Sequence, residues 1–469
     1  MTEATAVAPL TDPAYRVIEA PAADRGIAWL RGSVARFCEG TDHVRRRALA
    51  VAQMERIDLE RLRRDEGDPT EILAEALGLP RDIAPDVAAV AECYQPHVTI
   101  TDAADQALER VLASCGGQRN EQTAARIGLL VQAHAATTAL VAGVNPPVPT
   151  SRRVDPSGET VLVDLTGFPF GAGVHACPGR AHALALVSSQ LPFHRLHHRD
   201  TPLILPNAWD CASAAALVQA GFSAIGTTSL GVAAANGLPD AAAATLGETL
   251  DLAAKLARLP VPVTIDIESG LGARPDELAA QLWEMGVAGV NIEDGRGDHL
   301  ADAAEQVELL RAFKDAAPAL FLNARIDTHW LGLDPESTIT RAEQYTDAGV
   351  DGVFVPGLAD DRDIAAVVAA TAVPLNVLAQ GDPQRLANLG VRRISTGSLL
   401  FRAALGVAVT AAESVRDGKR TPQTPSYRSV EALAEQWSHQ QPGRTEDSDD
   451  GSRKRNPLRH ARQRNPRSR

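Results

Sequence analysis

A junction between a helix and a strand recurs in the second half of the chain. Each time, a glycine ends a helical pattern and an apolar run follows at once: Gly221 to Ile225, Gly286 to Val290, Gly349 to Val353 and Gly390 to Ile394. Glycine adopts the left-handed conformation that ends helices more readily than other residues do, so the recurrence predicts successive helix-to-strand turns. Alternating helices and strands indicate a parallel sheet.

Short apolar runs that end in polar residues predict the strands of this sheet. The runs are Leu203 to Leu205, Ala224 to Gly226, Val263 to Ile265, Val290 to Ile292, Leu320 to Leu322, Val353 to Val355, Leu375 to Leu378 and Arg393 to Ser395. Eight such strands, separated by helix-length segments, match a closed barrel, so we predict an α/β fold of the (β/α)8 TIM-barrel type. A doubly wound open sheet is the alternative.

The segments on either side of the barrel have different patterns. Residues 1 to 190 are predicted to be mainly α-helical, with long helical stretches such as His43 to Arg64 and Gln122 to Val141. Residues 421 to 469 lose apolar periodicity and end in a basic run, which predicts a disordered, solvated tail. A tail that binds RNA or docks on a membrane is the alternative. The barrel itself is assigned to residues 193 to 415.

Charge and cysteine content exclude several classes of protein. The formal net charge of -13 argues against a nucleic-acid binder, since such proteins need a positive face. The five cysteines lie far apart without CxxC spacing, so neither a disulfide framework nor a zinc site is predicted. We found neither a signal peptide pattern nor a run of about 18 apolar residues. A cytoplasmic protein without a membrane partner is therefore expected.

Charged residues follow three neighbouring strands of the predicted barrel. Asp266 and Glu268 stand two apart, which on one strand points both side chains to the same face, while Glu293 and Arg325 end the next two strands. Catalytic groups of such barrels lie where strands end, and an all-oxygen set of carboxylates suits Mg²⁺ better than zinc. An ion-pair lattice without a metal is the alternative interpretation.

Five motifs of the barrel, in this order, resemble those of the isocitrate lyase and phosphoenolpyruvate mutase superfamily. They are Leu205 to Asp210, Asp266 to Gly270, Asn291 to Asp294, Asn323 to Asp327 and Val355 to Gly357. The resemblance implies an enzyme that acts on a small anionic 2-oxo acid through an enolate, with Mg²⁺ as a Lewis acid. It also implies a homo-oligomer, a tetramer by analogy, in which the stretch Gly397 to Ser414 is exchanged between subunits.

The same resemblance implies roles for individual residues. Asp266 would bind Mg²⁺ directly, whereas Glu268 and Glu293 would contact it largely through water. Arg325 would anchor the substrate. The backbone N–H groups of Thr228, Ser229 and Leu230 would cradle its carboxylate. Asp240 falls where the family has an active-site aspartate on a mobile segment, although a turn or helix-cap aspartate fits the sequence there equally well.

One loop departs from the family. Lyases of the group carry a catalytic cysteine after the Glu-Asp strand and mutases a lysine and an asparagine, whereas this chain has Gly295-Arg296-Gly297-Asp298-His299-Leu300. Neither isocitrate cleavage nor phosphonate rearrangement is favoured by that loop. Decarboxylation, hydrolysis and cleavage of a carbon-carbon bond stay open, and His299 is either an acid-base group or a solvated surface residue.

The segment Phe170 to Arg180 resembles the loop that presents a thiolate to haem iron in cytochrome P-450 monooxygenases. The resemblance implies Cys177 as the axial ligand, and His43 with Arg47 as the pair that binds the haem propionates. The segment is nevertheless shorter than the family's domain, lacks the Glu-x-x-Arg pair and has Ala136 at the position of the proton-relay acid. We therefore interpret residues 1 to 190 as a truncated relative. The alternatives to a Mg²⁺ enzyme are haem binding as the main activity and a barrel that is only a scaffold.

Overall fold

The strands of the second half form one parallel sheet that closes on itself. The computed structural model describes residues 8–166 and 168–434, and its parallel strands follow the order β4-β14-β13-β12-β11-β8-β7-β6-β5. They are β4 (Leu203–Leu205), β5 (Asn207–Ala208), β6 (Ile225–Thr227), β7 (Val263–Asp266), β8 (Gly289–Glu293), β11 (Phe321–Arg325), β12 (Gly352–Phe354), β13 (Leu375–Leu378) and β14 (Arg393–Ser395).

Pairing between the last strand and the first decides the architecture. Arg393 and Ser395 of β14 lie in register with Leu203 and Leu205 of β4, which an open doubly wound sheet would not allow. The predicted TIM-barrel class is therefore confirmed. The first barrel strand is interrupted at Pro206, which has no N–H to donate. β4 lies before this proline and pairs with β14, whereas β5 lies after it and pairs with β6.

Helices follow the strands around the barrel. They are α10 (Cys211–Gln219), α11 (Ser229–Ala235), α12 (Leu246–Leu256), α13 (Pro275–Glu284), α14 (Ala303–Ala316), α15 (Thr328–Leu331), α16 (Thr338–Asp347), α17 (Asp361–Ala370), α18 (Pro383–Asn388), α19 (Leu399–Arg416) and α20 (Tyr427–Glu431). Their apolar faces and the outward side chains of the strands form one large buried cluster, in which Leu256, Val290 and Ile364 are fully buried. This core holds the strand ends in fixed positions.

Polar side chains fill the interior of the barrel. Asn291, Asn323 and Arg393 are each at most 3% exposed, and the amide of Asn323 donates to Asn291 Oδ1 at 2.9 Å. Each of the two asparagines stands two residues before a charged residue at its strand end, Glu293 or Arg325. Because side chains two apart on a strand share a face, the two asparagines lie directly beneath Glu293 and Arg325.

The first part of the described chain is mainly helical, as predicted, with helices α1 (Gly26–Ser33), α2 (Gly40–Met54), α3 (Leu59–Arg64), α4 (Pro69–Ala76), α5 (Ala84–Glu92), α6 (Asp102–Ser114), α7 (Glu121–Val141), α8 (Arg180–Ser188) and α9 (Pro192–Arg195). A small antiparallel sheet that was not predicted joins β1 (Arg16–Val17), β2 (Thr150–Val154) and β3 (Thr160–Asp164). Helix α7 is long and apolar enough to cross a membrane by length and composition alone, and its Ile127 and Leu130 are buried in the helical core. The basic run of the predicted tail lies outside the described residues.

The short helix α9 joins the two halves at the amino-terminal end of the barrel. Phe193 packs edge-on against Phe321, with ring centroids 5.3 Å apart, and the ring of His197 stacks on Phe321 at 4.1 Å. His198 lies 3.1 Å from Glu60 Oε1 of the helical half. Packed side chains thus cover the end of the barrel opposite the strand carboxyl termini.

A buried ion pair stabilises the same end of the barrel. Lys314 Nζ is 2.5 Å from Asp351 Oδ2 and 3.1 Å from the carbonyl oxygen of Leu320. Asp351 also accepts the backbone N–H of Leu322 at 2.8 Å. Although burial acts in the opposite direction, Lys314 and His194 hold the pKa of Asp351 well below its usual range.

Lys314→Met is expected to lower the free energy of unfolding by about 3 to 5 kcal/mol, because it leaves the carboxylate of Asp351 buried without its partner. Chemical denaturation followed by circular dichroism measures the change. The exposed Lys255→Met is the matched control, with a change within about 0.5 kcal/mol. The double variant Lys314→Met with Asp351→Leu should recover much of the loss, and a double variant no more stable than the single one would contradict this account.

Candidate active site

A small cavity of about 70 Å³ opens at the carboxyl ends of the barrel strands. It is lined by Ser229, Asp240, Ala241, Glu293, Gly295, Gly297, Arg325, Asp327, Trp330 and Leu331. The lining includes Ser229, Asp240, Glu293 and Arg325 from the predicted site residues, so the structure brings these four together. The small volume suits a small ligand.

Arg325, the last residue of β11, is the charged centre of the cavity. Its Nη1 lies 2.7 Å from Glu293 Oε2 and its Nε lies 2.7 Å from Asp327 Oδ1. The guanidinium also lies 6.0 Å from the ring of Trp330 and 5.9 Å from that of Phe354. Against the lowering effect of burial, the two carboxylates raise the pKa of Arg325, so it stays charged. These two hydrogen-bonded carboxylates and two aromatic contacts fix the orientation of the guanidinium group.

Asp266 and Glu293 are carboxylates whose charge the protein does not fully offset. Burial raises the pKa of Asp266 to about 6 and that of Glu293 to about 8, even though Arg325 acts in the opposite direction on both. The negative charge of Asp240 contributes to both shifts. The site thus holds more carboxylate charge than one guanidinium neutralises, which is an arrangement that a bound cation would stabilise.

Glu268 does not lie on the same strand as Asp266, and the prediction that it does is wrong. Strand β7 ends at Asp266, and Glu268 lies in the following turn with a positive φ of 48°. Its carboxylate turns toward the segment before α12, where Oε2 accepts the backbone N–H of Ala243 at 2.8 Å and Oε1 accepts the hydroxyl of Thr245 at 3.3 Å. Strand alternation fails here because the left-handed residue turns the chain.

Asp240 lies on the exposed segment between α11 and α12. It lines the cavity, and the next residue, Ala241, has a positive φ of 54°. Glu268 holds this segment through its bond to Ala243 N. The segment that carries Asp240 is therefore attached to the site by one of the site's own carboxylates.

The predicted carboxylate cradle starts at Thr228. The N–H of Thr228 donates to the carbonyl oxygen of Ala208 at 3.1 Å, so that group already has a protein partner. Ser229 and Leu230 form the first turn of α11, where backbone N–H groups have no partner within the helix. Ser229 lines the cavity. Binding of the substrate carboxylate by these backbone groups stays a prediction. The N–H groups of Ser229 and Leu230 are available for it, whereas that of Thr228 already has a partner.

The loop that departs from the family forms a short hairpin of β9 (Gly295–Arg296) and β10 (His299–Leu300). Arg296 is turned back into the protein, where Nη1 donates to Glu293 O at 2.8 Å and Nη2 to Gln306 Oε1 at 2.9 Å. The side chain of His299 is 69% exposed and lies 3.2 Å from Asp298. Only the glycines of this hairpin, Gly295 and Gly297, line the cavity.

Two aspartates that the sequence analysis quoted without a role brace the site. Asp294 is fully buried and accepts bonds from Tyr345 at 2.8 Å, Arg341 at 3.1 Å and the backbone N–H of Asp327 at 2.8 Å. Asp327 in turn holds Arg325. A side chain on Gly295 would come within 2.4 Å of Asp327 Oδ2, so glycine is required there. Asp294 and Asp327 both stand at the ends of motifs quoted from the sequence, and this position was the signal that could have indicated a role for them.

The donor set of the site fits a hard divalent cation. Within residues 8–166 and 168–434, no three His, Cys, Asp or Glu side chains come close enough together to hold a metal ion by themselves. Mg²⁺ does not require such a cage, since it keeps several waters and binds through one or two carboxylates together with its substrate. The excess of carboxylates over the single guanidinium of Arg325 therefore fits this ion.

The residues predicted to bind haem lie near one another in the helical half. His43, on α2, is buried with its ring 4.1 Å from that of His175, which lies 3.1 Å from Glu39 Oε2. Cys177 is exposed, and its N–H donates to Phe170 O at 2.8 Å. Arg47 lies one helical turn after His43 on α2. No observation on these residues tests haem binding, which stays a prediction.

Comparison with known proteins matches the barrel. The family model for phosphoenolpyruvate phosphomutase covers residues 193–416. An uncharacterized protein of Mycobacterium tuberculosis is 43% identical over 246 residues, which are 52% of this chain and 95% of that protein. Among solved structures, a phosphoenolpyruvate phosphomutase from Streptomyces platensis subsp. rosaceus has a TM-score of 0.48 at 24% identity, with 52% of this chain and 94% of that chain covered.

Two relatives with named activities match over shorter stretches. A 2-methylisocitrate lyase of Bacillus subtilis is 32% identical over 196 residues, which are 39% of this chain and 64% of the relative. An oxaloacetate decarboxylase of Ectopseudomonas mendocina is 33% identical over 187 residues, which are 36% of this chain and 64% of the relative. The chain spans less than two thirds of both relatives.

Proposed function

The chain belongs, through residues 193–416, to the phosphoenolpyruvate mutase and isocitrate lyase superfamily, and on that premise we propose that it decarboxylates a small 2-oxo acid of the oxaloacetate type with the help of Mg²⁺. The observation that carries the choice of reaction is the hairpin Gly295–Leu300. It presents glycine backbone to the cavity and turns Arg296 and His299 away from it.

Decarboxylation needs less from that loop than the other reactions of the superfamily. Cleavage of a 2-hydroxy acid begins with removal of a hydroxyl proton and needs a base, and a phosphonate rearrangement needs groups that carry the transferred phosphoryl. In decarboxylation the bond between C3 and the C4 carboxylate breaks, its electron pair moves into the C2 carbonyl group, and CO₂ leaves. The resulting enolate takes a proton from water at C3. The relative named oxaloacetate decarboxylase supports this choice.

Each group of the site has a task in this reaction. Asp266 would hold Mg²⁺, with Glu293 and Glu268 beside it; the ion, when bound, supplies a Lewis acid for the carbonyl oxygen. Arg325 binds the C1 carboxylate with a fork that Glu293 and Asp327 keep in position. Asp240, on the segment above the cavity, holds the water that returns the proton to C3. The backbone N–H groups of Ser229 and Leu230 donate hydrogen bonds to the same C1 carboxylate.

A panel of substrates tests the proposal. Purified protein is incubated with oxaloacetate, phosphonopyruvate or 2-methylisocitrate and Mg²⁺, and pyruvate formation is followed by coupled oxidation of NADH. We expect turnover of oxaloacetate that stops with a chelator. Heat-denatured protein corrects for the decarboxylation that free Mg²⁺ causes. Turnover of 2-methylisocitrate or phosphonopyruvate in place of oxaloacetate would refute the proposed reaction.

The proposal includes self-association through α19. This helix carries apolar side chains that solvent reaches, with Leu405 52%, Val407 48% and Val409 59% exposed. Leu405 and Val409 lie one turn apart and share a face of the helix, and clustered exposed apolar side chains are typical of an interaction surface. We assign a second copy of the chain as its partner, because the superfamily resemblance implies exchange of this helix between subunits.

Leu405→Glu combined with Val409→Glu is expected to convert the oligomer to monomers, since the two residues lie one turn apart on the exposed face and a charge there opposes burial. Light scattering after size exclusion gives the mass. Arg416→Glu, an exposed change at the end of the same helix, should leave the mass unchanged. A wild-type protein that is monomeric at micromolar concentration would contradict the assignment.

A further inference from the structure

Arg393, the first residue of β14, places a cation inside the barrel. The residue is 1% exposed, and its Nη2 donates to Asn291 Oδ1 at 3.1 Å. Asn291 lies on β8, which is four strand positions from β14 around the closed sheet and therefore lies across the barrel from it. The side chain of Arg393 therefore crosses the interior, where its Nε donates to Ser395 Oγ at 3.2 Å.

Among the described residues, the charge of Arg393 has no ion-pair partner. The two side chains that it bonds, Asn291 and Ser395, are neutral. Within the part of the chain that the structure describes, Nη1 of Arg393 has no hydrogen-bond partner, and no carboxylate forms a salt bridge with the guanidinium. Burial lowers the pKa of Arg393 to about 9, and Asp266 is the charged residue that opposes the shift. The side chain remains a cation at neutral pH.

The position of Arg393 at the base of the site follows from the strand register. Asn291, which binds the guanidinium, lies in register with Asp266 and two residues before Glu293. Two residues along a strand span roughly 6.6 Å, so the guanidinium lies at the level of Asp266 and about one layer below Glu293. Charges at this separation in a protein interior change a binding constant by about tenfold or more.

We propose that Arg393 is an electrostatic positioning residue, which strengthens binding of the anionic substrate and weakens binding of the divalent cation. The inference rests on the proposed function, because it assumes that a cation and a carboxylate ligand share the site. The excess of carboxylates around Asp266 would otherwise repel a 2-oxo acid. A fixed cation at the base of the site offsets that repulsion without contacting the ligand.

The opposite signs of the two effects provide the test. Titration calorimetry on the full chain measures Mg²⁺ binding to substrate-free protein and then oxalate binding in saturating Mg²⁺. In Arg393→Met, we expect the Kd for oxalate to rise about tenfold and the Kd for Mg²⁺ to fall severalfold, whereas Arg393→Lys should remain near wild type. Arg392→Met, at the neighbouring half-exposed position, is the control for loss of a positive charge.

A purely structural role would weaken both ligands together, and that outcome, or an unchanged Arg393→Met, would overturn the inference while leaving the proposed function intact. If Arg393→Met does not fold, Arg393→Gln keeps an amide donor for Asn291 and Ser395 and gives the same comparison. A wild-type protein that binds neither Mg²⁺ nor oxalate would instead refute the proposed function, and the inference with it.

Discussion

Asp266→Ala is expected to reduce Mg²⁺-dependent turnover of oxaloacetate by on the order of a thousandfold, because the variant removes the carboxylate that would bind the ion directly. A bound cation contributes several kcal/mol to stabilising developing negative charge, and each 1.4 kcal/mol is a factor of ten in rate. Coupled assays across a range of Mg²⁺ concentrations measure the loss. High Mg²⁺ should not restore the rate.

Three comparisons separate this effect from a loss of structure. Asp266→Asn keeps the size of the side chain, so its turnover should fall nearly as far while its thermal unfolding stays close to wild type. Asp251→Ala, an exposed change on α12, should have wild-type turnover. Calorimetry should show no Mg²⁺ binding to the Asp266 variants. Full activity of Asp266→Asn would show that the site is not built on this residue.

The sequence predicted the barrel well because its signals are local. Glycine at the end of a helix and an apolar run after it depend on neighbouring residues alone, and the bounds of Leu203–Leu205, Leu375–Leu378 and Arg393–Ser395 agree with the prediction. The strand-end residues of the site were predictable for a related reason, because they stand at or directly after the apolar runs that form the strands. Asp266, Glu293 and Arg325 do end consecutive neighbouring strands of the closed sheet.

Features that depend on distant packing were not predictable in this way. Glu268 leaves the strand pattern because a left-handed turn aims its carboxylate at Ala243, a contact across 25 residues of sequence. Arg393 was recognised only as the start of a strand, since nothing in its neighbourhood shows that the side chain enters the barrel. The packing of His197 on Phe321 is likewise a contact between distant segments.

Arg325→Lys is expected to lower kcat/KM for oxaloacetate on the order of a hundredfold while keeping the charge of the site. Lysine has a single point of attachment, so it cannot bond Glu293, Asp327 and a substrate carboxylate with the geometry of a guanidinium fork. The loss should include a higher KM, because the substrate loses its anchor, and a weaker affinity for oxalate in the same proportion. Arg311→Lys, an exposed change on α14, is the matched control.

The lysine variant is preferred to a neutral one because of the surroundings of Arg325. Its removal would leave Glu293 and Asp327 buried without a counter-charge, and the loss of activity would then include a loss of stability. With the charge kept, thermal unfolding should change little while catalysis and oxalate binding fall together. An Arg325→Lys protein that binds oxalate as tightly as wild type would mean that the substrate carboxylate is held elsewhere, with the backbone of Ser229 and Leu230 as the next groups to test.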